Sequence, residues 1–399
     1  MNDLKLKHNK KCLIPLLFIM FIPLSWAVFI VGSVYRNITI ILAVLFVISV
    51  KGKLGLTKAN SGTLIIWTVY VLYTVVSLAW STDSARAINN CMGMVLVYVI
   101  VLIFANVDTN KIDTKYYDLA WIFVGILCAM FFMFGSIEQV DQYGERETLV
   151  ILGNKTDPNE FAGTFSVTAA INMYYVLKGK KLWIKLINVV LMVLQLYVIL
   201  SCGSRGALIA AIVSIVATII VFFKPTLGYI FGTILLVVAS ILAIQFIVLP
   251  QISGEVADRF SIQSILSDGG SGRSSIWKSG LTQFFDGDAW RILFGFGYGG
   301  VVAEGMYDAT ATMHNQFVQI FVNYGIVGFI LYIALLARCL FLLMKYNKRY
   351  VGGFIGMMAL SMTLSLPPTY KPFWVLLTMA FIGMDRRRKS STLDIEKPF

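Results

Sequence analysis

Apolar runs of roughly 20 residues recur along the whole chain with short polar breaks between them, and each such run is long enough to cross a hydrocarbon core about 30 Å thick as a helix. The pattern predicts about twelve spans, near residues 12–31, 37–50, 63–80, 88–105, 118–135, 160–177, 183–201, 206–223, 227–249, 315–343, 352–366 and 372–384. The second is short, and the eleventh ends at Leu366-Pro367-Pro368, where proline removes backbone donors and stops a helix. The first run follows the basic stretch KLKHNKK but is long and leads into further runs, so it reads as a retained span rather than a cleaved leader. The expected fold class is all-α: a polytopic integral membrane protein forming one membrane domain over 1–399. No internal period and no glycine- or serine-rich linker divides it. Two connections stand out, a shorter one of about 25 residues over 136–160 and a long one of about 64 residues over 250–313, because structureless loops of such length are uncommon unless they work.

Composition removes the soluble alternatives. The chain has 399 residues, 58% of them hydrophobic and 14% charged, outside the range of soluble domains. The net charge of +12 is parcelled among short loops. Alternating the spans from a cytoplasmic start puts KLKHNKK, KGKLGLTK, NKIDTK, KGKKLWIK, Lys224, KYNKR and DRRRK on the inner side, with both termini cytoplasmic. The charge is therefore topology and attraction to anionic bilayer lipids, and nucleic acid is not expected as a partner. The five cysteines (12, 91, 128, 202, 339) are dispersed and include no C-x-x-C pair, so they predict neither a disulfide framework nor a metal site.

Three basic groups lie on the outer side, where the sorting of positive charge does not explain them: Arg205 in SCGSRGAL, Arg273 in GSGRSS and His314 in TMHNQF. Each stands at or near the outer end of a span, where a charge costs less than at the bilayer centre but still seeks a partner. An anionic ligand is an economical one. The ordinary alternatives are lipid headgroups for Arg205, an ion pair with Asp268 for Arg273, and a satisfied polar role for the histidine. Arg338, deep in the tenth span, snorkels to the cytoplasmic face in this reading. GGSGRSSIWKSGLTQFF predicts a short helix capped by Ser271 or Ser274, with Ile276, Trp277, Leu281, Phe284 and Phe285 as an apolar side laid on the outer leaflet. The positive end of that helix and the Arg273 fork suit phosphate oxygens. GFGYGG at 295–300 allows close backbone approach, to a ligand or to the protein itself.

With these residues in place, the chain resembles the O-antigen ligase superfamily of membrane glycosyltransferases. His314-Asn315, nine residues, Gly325, two residues and Gly328 match its H-N-x9-G-x-x-G pattern, and SRG at 204–206, S-G-R at 271–273 and the glycine-rich segment follow in the same succession. GNKTDPNEFAG at 153–163 is similar to the family's D-P-N segment. The resemblance covers about 150–345; the first 150 residues are similar in hydropathy only. It implies a helical bundle in the bacterial inner membrane with an outward-facing active site. It also implies a lipid-linked oligosaccharide donor on undecaprenyl diphosphate, a glycan, lipid or protein acceptor, and inverting transfer without metal or cofactor. In that scheme His314 is the base that draws the proton from the acceptor hydroxyl, Arg273 and Arg205 hold the diphosphate, and Arg86, Asp157, Asn159 and Asn315 bind substrate. The glycines after the histidine would let its helix pack closely.

Other readings stay open at the level of sequence. Asp286-Gly287-Asp288 has the spacing of a metal-holding D-x-D, though a turn explains it equally simply. Asp157, Glu160 and Glu138 are alternative bases. A polysaccharide or small-molecule transporter would instead place its ionisable groups near the midplane. Within the family, a polymerase of surface polysaccharide is favoured over a ligase acting on a lipid, wall or protein acceptor.

Overall fold

The computed structural model describes residues 13–29, 32–51, 58–107, 113–140, 146–151, 153–222, 272–305 and 309–382, with scattered positions between 226 and 260. The basic termini, most of KGKLGLTK, Lys224, Cys12, Asp268, Ser271 and most of the ninth expected span lie outside the described residues.

The first expected span is interrupted. α1 (Ile14–Met20) passes into a single 3-10 turn at Ile22–Leu24 and then into a two-stranded hairpin of β1 (Val28–Phe29) and β2 (Gly32–Ser33). Then follow α2 (Val34–Ser49), α3 (Lys58–Val76, prolonged by a 3-10 turn to Trp80), α4 (Ser84–Asn106) and α5 (Lys115–Phe134). The shorter of the two long connections holds an antiparallel sheet of β3 (Ser136–Val140), β4 (Arg146–Ile151) and β5 (Asn154–Lys155) in the order β3-β4-β5. The all-α expectation overlooked these strands. Their alternation is short and sits against the end of a membrane helix, where periodicity is hard to separate from the apolar run.

The next segment is split into α6 (Pro158–Gly163) and α7 (Phe165–Lys178), followed by α8 (Leu182–Ser201) and α9 (Arg205–Val221). Beyond them come α10 (Arg273–Phe285), α11 (Ala289–Phe294) and the hairpin of β6 (Ala303–Glu304) with β7 (Ala309–Thr310). The chain then runs through α12 (Gln316–Tyr346), α13 (Val351–Ser361) and α14 (Lys371–Thr378). Among the described residues five helices, α3, α4, α5, α8 and α12, are long and apolar enough to cross a membrane. The other segments expected to cross are shorter or broken, so the helices are those of a multi-pass membrane protein without fixing twelve crossings.

The core is built around α7, which is buried on all sides from Phe165 to Met173 and packs on α5, α8, α9 and α13. A helix buried all round, here with only Ser166, Thr168 and Asn172 as polar residues in the buried stretch, belongs at the centre of a bundle. α9 and α13 meet through small residues: a Cβ on Gly352 would stand 1.9 Å from Thr218 Oγ1, and one on Gly356 1.7 Å from Ser214 Oγ. Such contacts let two backbones approach where hydrocarbon offers no hydrophobic drive for association.

The two ends of the bundle differ. At one, Asp118 at the start of α5 is fully buried and pairs with Arg349, while Tyr350 and Tyr175 donate to it at 2.7 and 3.0 Å. Asn60 donates to Ala105 O at 2.6 Å there, tying α3 to α4. Arg338 is held by protein: its Nε donates to Thr63 Oγ1 at 3.0 Å, a partner that snorkelling did not require. At the other end, among the described residues, five helices begin on side-chain caps, α4 on Asp83, α6 on Asp157, α9 on Ser204, α11 on Asp288 and α12 on Asn315. Each cap supplies an acceptor to N–H groups that have no helical partner, worth about 1 kcal/mol.

Candidate active site

The site grows from the start of α12. His314 adopts φ 48°, a left-handed conformation uncommon for a residue with a Cβ. The residue before it explains how this is held. Met313 N donates to Gln319 Oε1 at 2.8 Å, and Met313 O accepts from Trp277 Nε1 at 2.7 Å. Asn315 follows as the cap, its Oδ1 accepting from Phe317 N at 3.0 Å and Val318 N at 3.2 Å. With both flanks fixed, the backbone at His314 has little freedom left, which is how a strained conformation persists. The side chain is half-buried.

Gln316 and Gln319 anchor the same turn to the α13–α14 connection. Leu366 N donates to Gln316 Oε1 at 2.6 Å and Ser365 Oγ to Gln319 Oε1 at 3.1 Å; Gln319 Nε2 reaches Asn323 Oδ1 at 3.2 Å. These three polar residues stand at i, i+3 and i+7 of HNQFVQIFVNYG, a stripe on an otherwise apolar helix. That stripe was available in the sequence and was passed over.

α10 brings Arg273 to the histidine. Its start is Gly272 in the left-handed region (φ 71°), not a serine cap. Ile276 and Phe284, expected on the outer leaflet, are buried in a small core with Val301, Ala303, Met313 and Val322. Gly280 is required there, because a Cβ would meet Met313 Sδ at 2.7 Å. Phe285 and Trp290 remain exposed. Arg273 lies one turn before Trp277, whose indole holds Met313, so the guanidinium reaches the neighbourhood of the imidazole. Burial, and then the Arg273 charge, hold His314 below the ordinary imidazole pKa, while the Asp157 carboxylate pulls it back up. Arg273, His314 and Asp157, from three separate segments, thus share one electrostatic neighbourhood.

Asp157 also caps α6, its Oδ1 accepting from Asn159 N at 2.8 Å and Glu160 N at 3.0 Å. Asn159 ties that helix to α9: Ser204 Oγ donates to Asn159 Oδ1 at 2.9 Å. Arg205 follows Ser204 and donates from Nε to Arg259 O at 2.5 Å, placing it at the same end of the bundle with part of its guanidinium engaged by the chain. Asn315 and Asn159 therefore do positioning work with their carboxamide oxygens. Glu138 pairs with Lys155 at 2.9 Å on the surface of the β3-β4-β5 sheet. Asp288 caps α11 by accepting from Arg291 N at 2.8 Å, so the D-x-D segment is the turn between α10 and α11.

The two glycine-containing segments meet each other. α12 is not continuous: Gly325 takes φ 64° and ψ −169°, which only glycine adopts readily, and divides the helix. The carbonyls freed at the break are satisfied by neighbours, as a membrane bundle requires. Phe296 N donates to Val322 O at 3.2 Å, Gly297 N to Asn323 O at 2.8 Å, and Tyr73 Oη to Tyr324 O at 2.7 Å. A Cβ on Gly325 would stand 2.4 Å from Leu293 O, and one on Gly295 2.3 Å from Asn323 O. Gly325 therefore both breaks the helix and lets it pack closely against α11, while a Cβ on Gly328 would stand 2.7 Å from Tyr73 Cε1, and GFGYGG turns its backbone to the protein.

Beyond that segment Tyr298, which the sequence did not single out, is influenced by both Glu160 and Arg86. Burial raises its phenol pKa, the Glu160 charge adds to this and Arg86 opposes it. Arg86 is exposed and pairs with Asp83 at 3.3 Å.

Residues 190–333 match the O-antigen ligase family, a stretch that holds Arg205, Arg273, His314 and Asn315 and leaves Arg86, Asp157 and Asn159 outside. The teichuronic acid biosynthesis protein TuaE of Bacillus subtilis (strain 168) is 22% identical over 363 residues, covering 82% of this chain and 72% of that protein. A chain studied for the structural coordination of polymerization and crosslinking by a peptidoglycan synthase complex has a TM-score of 0.49 and 16% identity, covering 82% of this chain and 97% of that one; so low a likeness carries no argument. The family match over 190–333 and the Bacillus relative support the resemblance of this chain to the O-antigen ligase superfamily.

Proposed function

We propose that the protein is an inverting glycosyltransferase of the bacterial inner membrane, with both termini cytoplasmic and its active site on the outer face. It moves oligosaccharide units from a polyprenyl diphosphate such as undecaprenyl diphosphate onto a growing surface polysaccharide, as a polymerase. The single observation that carries this reading is the imidazole of His314, fixed in a strained backbone between Arg273 and Asp157 and held below its ordinary pKa. A lowered pKa keeps the ring neutral at pH 7 and able to accept a proton, which a general base requires. The acceptor hydroxyl gives its proton to His314 as its oxygen bonds to the anomeric carbon. The bond from that carbon to the diphosphate breaks on the opposite face, and the polyprenyl diphosphate leaves with its electron pair. Arg273, with Arg205 at the same end of the bundle, offsets the negative charge that develops there. Because the arginines meet that charge, the residues assigned here need no metal for the leaving group. Asp157 steadies the imidazolium once the proton has arrived, and Asn159 and Asn315 keep the helix starts in register.

Deletion in the native host with sizing of the surface glycan tests the assignment. The expected result is loss of long chains with single repeat units still transferred. Full-length chains stranded on the lipid carrier would instead identify a ligase passing glycan to a lipid, wall or protein acceptor, and unaltered glycan would overturn the enzymatic reading.

A further inference from the structure

A cavity of about 490 Å³ opens between the start of α4, the Tyr298-Gly299 turn, the segment 309–312 that leads to His314, and the α13–α14 connection. Its volume falls within the usual range of small-molecule sites. One wall is a single helical face. Arg86, Asn89, Asn90 and Gly93 recur at i, i+3, i+4 and i+7 of α4, which brings a guanidinium and two carboxamides to one side. The opposite wall is backbone and hydroxyl, ending at Thr312, two residues before His314. Pro367 and Pro368 supply an apolar floor, and Gly93 lets it come close, since a Cβ there would touch Pro368 Cβ at 3.0 Å.

We infer that this cavity binds the acceptor saccharide and presents its hydroxyl to His314; the inference deepens the transferase reading and rests on it. The chemistry of the lining selects the ligand class. Carboxamides and hydroxyls around an apolar floor and a tyrosine match a pyranose, which carries hydroxyls on its edge and C–H groups on its face. Among the described residues no carboxylate lines the cavity. The guanidinium of Arg86 is already bridged to Asp83 at 3.3 Å, so it offers side-on hydrogen bonds to sugar oxygens rather than an isolated charge for diphosphate. Asn90 is oriented for this, because its Nδ2 donates to Tyr324 Oη at 2.8 Å and its carbonyl oxygen is thereby set. Position completes the case: the diphosphate cations Arg273 and Arg205 come from α10 and α9, elements that do not line the cavity, so donor and acceptor enter from different sides.

The test uses the full-length protein in lipid nanodiscs, with variants Asn89→Ala and Thr312→Val at two exposed lining positions. The probe is the repeat-unit oligosaccharide released from the host's own surface polysaccharide by mild acid. Saturation-transfer NMR should show it binding the wild type and losing about tenfold in affinity in the double variant, as expected for one or two lost hydrogen bonds. In the transfer assay the apparent KM for this acceptor should rise by a similar factor while the KM for the lipid diphosphate donor stays within about twofold. A rise in donor KM with acceptor KM unchanged would give the cavity to the donor and overturn the inference. So would oligosaccharide binding that is identical in wild type and variant. Binding that is lost in the variant, in a wild type with no transferase activity, would keep the saccharide site and sink the proposed reaction instead.

Discussion

The two ends of the bundle use the same kinds of side chain to opposite effect. At one end Asp118 is enclosed by Arg349, Tyr175 and Tyr350, all donating to a single fully buried carboxylate. Charge and hydrogen-bond capacity are used up inside the protein, so nothing is left to offer a ligand. At the other end Asp157 spends one oxygen on the backbone of α6 and extends its field to His314, against the opposing field of Arg273. There the charges come from α6, α10 and the start of α12, and they set the proton affinity of His314, two residues beyond the cavity wall at Thr312. A closed network fixes a fold; an open one can meet a substrate.

This contrast can be broken most severely at His314. In His314→Ala, transfer from lipid-linked donor should fall about 10²- to 10⁴-fold, the usual worth of a general base, with the thermal midpoint in detergent little altered. A variant as active as wild type would remove the base from the open end. The closed end should behave conversely. Arg349→Ala strands a buried carboxylate and should destabilise the protein by about 3 kcal/mol, read as a lowered melting temperature, while turnover per folded molecule survives. If instead turnover collapses at an unchanged melting temperature, the two ends are not divided as proposed. The smallest effect sharpens the comparison. The base works only as the neutral ring, so activity falls as pH drops through the His314 pKa. Removing a nearby positive charge raises that pKa; the acid limb of Arg273→Gln should therefore move to higher pH than in wild type, and that of Asp157→Asn to lower pH. Limbs that stay in place would show that His314 does not titrate in catalysis.

Much of the fold was legible in the chain. The starts of α4, α8 and α9 fall within a few residues of the expected spans, and the Asp157-Pro158 step opens a helix with the aspartate as its cap. The candidate residues were legible as types: a histidine and two arginines, expected on the outer side, that the sorting of positive charge left unexplained. What escaped was partnership. Asp157 stood in the sequence as a substrate-binding residue or an alternative base, and only packing brings it near His314, 157 positions later in the numbering. Ile276 and Phe284 looked like lipid-facing residues because an apolar side is the same whether lipid or protein covers it.

By itself the sequence determined that this chain lives in a membrane and where several of its long apolar helices run. The hydrocarbon core imposes its demand residue by residue, so a local pattern suffices to meet it. The tertiary structure alone decided that α12 breaks at Gly325 and that GFGYGG closes the break. A carbonyl released inside a membrane must find a donor, and the donor is supplied by a segment nearly thirty residues away that no local pattern could pair with it.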